Sequence, residues 1–410
     1  MKEAVQYSET QKPLSLWRNR QFLLLLSGSS ISNLTFYLFT LALPIIIYEL
    51  TTSTLAMGTM RAIEFLPNLL LAIFIGVIVD RFSRKKVLLS SVSVQAIALG
   101  MIIVILASSH LQLWHLYCLG FILYTASYTF GNAYHTVLPL IVGKAQLASA
   151  NSIISFSQTT IRLVGPALAG VILLVLNYIF GLTITLIGLL CLLLFTCLLK
   201  VPEDQTLHAE KKSIFADIKE GWNCLLANKE LWHLTIMVLL SNIASAATLA
   251  ILVFYALDSM KVIESQLGII LSGSAVGGLI AALIAKKITK WIKRGPLFLL
   301  SLGLESFGYL LLFFSFDWYW LAIGMFFNGF TGGIINIHYF TLRQETTPNH
   351  LLGRVAGTSS MMMKLAVPFS FLSVGALGEV IPVHYIFLGS CLLTILIILY
   401  LAKTPVAKMK

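Results

Sequence analysis

Residues 76–86 read GVIVDRFSRKK. The apolar run LLLAIFIGVIV (69–79) stops at Asp80-Arg81, and Arg84, Lys85 and Lys86 follow at once. An abrupt charged end to a greasy run marks a place where the chain leaves an apolar solvent. Over all 410 residues, 58% are hydrophobic and 11% charged, with mean hydropathy +0.89. Soluble domains are roughly 45–50% apolar and about 25% charged. This much apolar surface does not fit one aqueous core, so the solvent is a bilayer and a soluble enzyme is excluded.

Apolar runs of about 20 residues each predict one spanning helix. Twelve occur, near 21–47, 55–79, 87–108, 113–138, 148–175, 178–199, 231–257, 265–285, 296–315, 318–341, 354–378 and 383–402. No small-residue cleavage site follows the first, so it is expected to be retained rather than removed as a signal peptide. An even number puts both termini on one side. With that side taken as cytoplasmic, its segments hold 24 of the 28 Lys and Arg residues, the outer loops hold Lys261, and Arg61, Arg162 and Lys364 lie within spans. Such a bias predicts a multi-pass protein of the cell (inner) membrane with both termini inside. The net charge of +11 sits in short loops and forms no face, which argues against nucleic acid as a partner. The five cysteines have no metal spacing.

The one long connection, 200–230, is expected to hold an amphipathic helix at the inner surface. Ile218, Trp222, Leu225 and Leu226 share a face with Ile214 and Phe215, and Ser213 stands where a cap belongs. It divides the chain into a six-helix bundle over 1–199 and another over 231–410. The bundles echo each other. RLVGPALAG (162–170) and KLAVPFSFL (364–372) each place a cation four residues before a proline. Each follows a polar inner loop, QLASANS (146–152) or LLGRVAGTSS (351–360), and KKITKWIKRG (286–295) is basic like the loop at 81–86. Parallel repeats of this kind suit a transporter that rocks two halves about a central site.

GVIVDRFSRKK resembles the Gly-x-x-x-Asp-Arg-x-Gly-Arg-Arg/Lys signature of the major facilitator superfamily, with Ser83 in place of the second glycine. GPALAG (165–170) resembles the Gly-Pro motif of its antiporter branches. NAYHTVLPLIVGKAQLASANS (132–152) and RQETTPNHLLGRVAG (343–357) look like the branch containing macrolide-efflux proteins and the enterobactin exporter. The resemblance covers essentially the whole chain. It implies an all-α membrane protein of twelve helices in two pseudo-repeats, exporting an amphiphilic organic molecule by alternating access and proton antiport, as a monomer without cofactor. It also implies a conformational gate at Gly76, Asp80, Arg81 and Arg84, at Gly165, Pro166 and Gly170, and at Gly353 and Arg354. Asp80 would meet the positive N-terminus of the eleventh span near Gly353-Arg354. An importer or lysolipid flippase on this scaffold, and a non-transporting receptor, are the rival readings. One departure matters: the fourth span offers Asn132 where many proton antiporters carry an embedded Arg.

Charges inside the membrane cost roughly 2.5–3.5 kcal/mol each, so they pair or face water. Arg61 and Glu64 stand three apart on one face, as a staple or as a proton-binding acid tuned by a base. Glu305 is the other acid that suits proton coupling, or it is a hydrogen-bonded neutral group. Arg162 and Lys364 either bond backbone carbonyls or meet an anionic part of a cargo. Asn33, Asn132, Asn242, Asn328 and His338 are candidates to line a cavity or to join helices. No G-x-x-x-x-G-K, H-E-x-x-H or G-x-S-x-G motif occurs, which leaves ATP and hydrolytic chemistry without a site and points to an ion gradient.

Overall fold

In hydrocarbon every backbone N–H and C=O must be paired within the chain, so a run of about twenty apolar residues becomes a helix. A computed structural model describes residues 16–71, 75, 82–143, 146–201, 214–348 and 351–409, with backbone alone at 148 and 214–217. These residues form helices and no strands: α1 (Arg20–Thr51), α2 (Thr54–Leu70), α3 (Arg84–Ala107), α4 (Leu113–Val142), α5 (Leu147–Leu198), α6 (Ile214–Ala227), α7 (Lys229–Asp258), α8 (Glu264–Ile288), α9 (Arg294–Phe313), α10 (Trp318–Thr346), α11 (Leu352–Leu365), α12 (Val367–Gly378) and α13 (His384–Ala402).

Nine stretches among the described residues are long and apolar enough to cross a bilayer, with α11 and α12 joined as one. The long α5 counts twice, because it turns at Asn177, whose φ is 58°. Its Oδ1 accepts the N–H groups of Ile179 and Phe180 at 3.0 and 3.2 Å, capping the returning helix. The described part of α2 and the Trp-, His- and Tyr-bearing α4 complete twelve. The eleventh span breaks at Ala366, where Pro368 removes a donor from the helical ladder.

The apolar core has an instructive shape. Toward the ends that carry Leu16, Met409 and the basic helix ends at Arg84 and Arg294, hereafter the basic end, each half keeps its own cluster. Phe22, Leu88 and Val137 centre one of them. Phe298, Leu302 and Tyr339 centre the other. Toward the opposite end a single cluster joins Ile47, Met57 and Leu173 of the first half to Phe254, Leu267 and Phe371 of the second. The seams are α5 along α8 and α2 along α12. The halves are therefore fused at one end and separate at the other.

Helix α6 docks on the second half. Leu225 is fully buried against Val355 and Leu231, Glu220 pairs with Arg354, and Trp222 meets Trp232 edge-on at 5.6 Å. Ile218, Trp222 and Leu226 stay exposed, an outward apolar face suited to the membrane surface.

Candidate functional site

Where the halves part, they enclose a cavity of about 720 Å³. Its walls carry Tyr37 of α1, Arg61 of α2, Arg162 and Pro166 of α5, and Asn328, Asn336 and Phe340 of α10. Arg162 lies fifteen residues into α5, roughly 22 Å along a helix and so near the middle of a bilayer. A second chamber of about 400 Å³ opens between α2 and α4, lined by Glu64, Asn68, Tyr124, Tyr128, Asn132 and His135.

Arg61 and Glu64 stand between the two chambers. Their side chains are 13% and 14% exposed, and Arg61 Nη1 donates to Glu64 Oε2 at 2.9 Å. The helical spacing places both on one face of α2. Arg61 looks into the large cavity and Glu64 into the smaller, where Tyr124 adjoins it. A buried pair of this kind satisfies two charges that the membrane would otherwise exclude.

Glu305 of α9 is 3% exposed. Ser241 donates to its two oxygens, each at 3.0 Å, and Tyr309 donates to Oε1 at 3.0 Å. The Tyr309 hydroxyl accepts from Asn328 Nδ2 at 3.1 Å. A polar chain thus runs from the buried carboxyl to the cavity wall.

The fused end is held by close backbone approach and by polar contacts. A Cβ on Gly170 would come within 3.1 Å of Gly268 Cα and 2.6 Å of the Glu264 carbonyl. One on Gly58 would come within 3.0 Å of Gly375 Cα. Only glycine allows either seam to close this far. Tyr48 donates to Asp258 at 2.9 Å across the halves. The Glu379 carboxylate, just past α12, accepts from the Ser53 hydroxyl at 2.6 Å, the Leu55 N–H at 3.0 Å and the Thr54 hydroxyl at 3.1 Å. It thereby caps the N-terminus of a helix in the other half, where an anion is favoured. Between described residues, the hydrogen bonds that join the halves all lie at this end.

The Leu55 N–H and then the Ser53 hydroxyl hold the Glu379 carboxyl below the usual carboxylate range. The sealed form binds its proton less readily than an opened form with an ordinary carboxyl. Its contribution is thus complete above the ordinary range, about pH 4.3, and is lost as pH falls through the lowered value. Spin labels at His110 and Phe316 should move apart on acidification below that range. Glu379→Gln should lengthen the same distance at pH 7 and flatten its response to acid; a distance that ignores both changes removes Glu379 from the seal.

The other sequence-selected residues are scattered. Gly76, Asp80 and Arg81 lie outside the described residues, and Arg84 opens α3. Gly165 packs on the Tyr37 ring. Gly353 faces open space, and Arg354 reaches Glu220. Asn33 and Lys364 are exposed and line neither chamber. Asn242 donates to the Met363 carbonyl at 3.0 Å, tying α7 to α11. His338 is 5% exposed, in the second half's interior rather than on the cavity, and its Nε2 has no hydrogen-bond partner among the described residues. Sequence reasoning passed over Glu379, Tyr48 and Asp258, and over Gly58, Gly268 and Gly375. The Thr51-Thr52-Ser53-Thr54 run that caps α2 was a legible signal that this helix start seeks an anion.

Comparison with known proteins follows the same lines. The family model described as "Major Facilitator Superfamily" matches residues 25–362 and 249–410. The chain is 23% identical over 393 residues to "Macrolide efflux protein A" of Streptococcus pyogenes, covering 92% of this chain and 94% of that protein. It is 26% identical over 343 residues to "Enterobactin exporter EntS" of Escherichia coli O1:K1 / APEC, covering 80% and 78%. Among solved structures, the nucleoside transporter NupG superposes with a TM-score of 0.73 at 14% identity, over 93% of this chain and 98% of that one. A bacterial homologue of the iron transporter ferroportin gives 0.73 at 17% identity, over 95% and 100%.

Proposed function

Since the chain belongs to the major facilitator superfamily, and is a transporter rather than an enzyme, we propose that it exports an amphiphilic organic molecule by alternating access, driven by proton antiport. The observation that carries this reading is the pattern of contacts between the halves. They share a core and hydrogen bonds at one end, and at the other they part around a cavity near mid-membrane. With the Lys- and Arg-rich loops on the cytoplasmic side, this is a state that loads cargo from within. The printed names of two relatives, an efflux protein and an exporter, favour the outward direction.

Glu64 is the proposed proton carrier. It looks into a chamber, whereas the oxygens of Glu305 are enclosed by three hydroxyl contacts. Cargo loads beside Arg61 while Glu64 is deprotonated and paired with the guanidinium. Outward opening delivers the cargo, and Glu64 then takes a proton from the outer side and loosens its hold on Arg61. Return to the inward-open form releases that proton to the cytoplasm, and the pair re-forms. Asp80, outside the described residues, is proposed to fasten the basic end in the alternate state, and the lipid bilayer and a small molecule are the partners required.

The test is uptake into everted vesicles with a pH gradient imposed. Glu64→Gln should abolish gradient-driven uptake at normal protein levels, and Glu305→Gln should retain most of it. Full activity in Glu64→Gln would return the pair to a purely structural role; gradient-independent transport in the unaltered protein would remove proton coupling.

A further inference from the structure

We propose that the cargo site selects an amphiphilic anion, with Arg162 as the group that receives its negative charge. This rests on the export reading for its biological sense, and on the cavity alone for its chemistry.

Among the described residues, the cavity walls hold two charged side chains, Arg61 and Arg162, and no carboxylate. The two cations are not equivalent. Arg61 is spent on Glu64 at 2.9 Å. Arg162 has no hydrogen bond or ion pair to any described carboxylate and stands exposed on α5. An unpaired guanidinium near mid-membrane persists only where water reaches it, and it is costly there unless it serves an ion that arrives later. Its planar fork of donors suits the two oxygens of a carboxylate, sulfonate or phosphate.

The surroundings define the rest of the ligand. Tyr37 neighbours Arg162 on one side, and Phe340 stands across the cavity on α10. Gly278 of α8 and Gly332 of α10 line the same cavity without side chains, and a Cβ on Gly332 would meet nothing within 4 Å. Aromatic edges around a wall without side chains admit a flat apolar body. Asn328 and Asn336 add amides that can hydrogen-bond its polar substituents. The volume, about 720 Å³, falls in the range of small-molecule sites, roughly 300–1,000 Å³. A cation would meet net positive charge and no acid on the described walls. Glu64 is on the far side of its partner.

Three probes of one shape separate the possibilities: 1-pyrenebutyrate, its neutral amide and 1-pyrenebutylamine. Binding is read by quenching of tryptophan fluorescence with the intact protein in lipid nanodiscs, corrected with empty discs. The anion should bind roughly tenfold to a hundredfold more tightly than the amide, the worth of a charge-assisted hydrogen bond, and the amine weakest. Arg162→Gln should erase the preference by weakening the anion alone, and Arg162→Lys should restore part of it. Equal binding of the three probes, tighter amine binding, a preference untouched by Arg162→Gln, or no binding to folded protein overturns the inference. Gradient-driven uptake of pyrenebutyrate in vesicles separates this from the export reading. Anion-selective binding without transport sinks the latter and leaves the site's chemistry standing, and transport of the amine or amide without anion preference does the reverse.

Discussion

Arg61→Ala alone should destabilise the protein by about 3–5 kcal/mol, because it leaves the Glu64 carboxylate buried without its cation. The Coulombic attraction at 2.9 Å offsets two desolvation costs, and removing one partner keeps the other cost. The double change Arg61→Met/Glu64→Met removes both charges together. It should unfold at a temperature close to that of the unaltered protein, since long apolar side chains fill the space and no charge is stranded. Thermal unfolding of the three proteins in one detergent checks the ordering. The double variant has a second use: a protein that folds normally yet ignores a pH gradient separates coupling from stability at this pair. A cost below about 1 kcal/mol for Arg61→Ala would mean that water in the two chambers already solvates both groups.

The second large effect concerns the glycine seams. Gly170→Val sets a side chain where a Cβ already meets the Glu264 carbonyl at 2.6 Å and Gly268 Cα at 3.1 Å. Gly58→Val does the same against Gly375. Backbone cannot step aside as a side chain does, so the halves must part. Overpacking costs about 1–3 kcal/mol, which moves the balance between sealed and open forms roughly 5- to 150-fold. The seams lie on different helix pairs, so their effects should add, and the double variant should favour the outward-open form. Each half keeps its own basic-end cluster, so expression and helix content should survive. Labels at His110 and Phe316 should report a longer distance in each single variant and the longest in the double. Loss of folding in the singles would show that the seams are needed to build the halves rather than to join them.

Twelve spans and the turn near residue 177 were legible because hydrocarbon imposes a length of about twenty apolar residues on each helix. The spacing of Arg61 and Glu64 also announced their pairing, since three residues bring side chains together on any helix. The site was less legible for a physical reason. A helix that is apolar all round carries no stripe to say which face meets protein, lipid or cavity. Asn328 and Asn242 look alike in sequence, yet one faces the cavity and the other ties α7 to α11. Arg162 and Lys364 hold matching places in the repeat, and Arg162 alone lines the cavity. The seal was hidden differently. Its glycines come from α2, α5, α8 and α12, and its carboxylate from a loop after α12, so no local pattern unites Glu379 with Leu55. Seams between halves are properties of the assembled pair, and single-chain periodicity holds no record of them.

The central claim is that the two ends of the membrane domain open in turn. Its most direct measurement is a pair of spin-label distances in lipid nanodiscs, in a background with Cys118, Cys191, Cys197, Cys224 and Cys391 replaced. One pair, Lys86→Cys with Lys293→Cys, spans the basic end; the other, His110→Cys with Phe316→Cys, spans the sealed end. The account predicts that the Gly58→Val/Gly170→Val change lengthens the second distance and shortens the first in the same molecules. Distances that change at one end while the other stays fixed, or that lengthen together, would contradict alternating access in this chain.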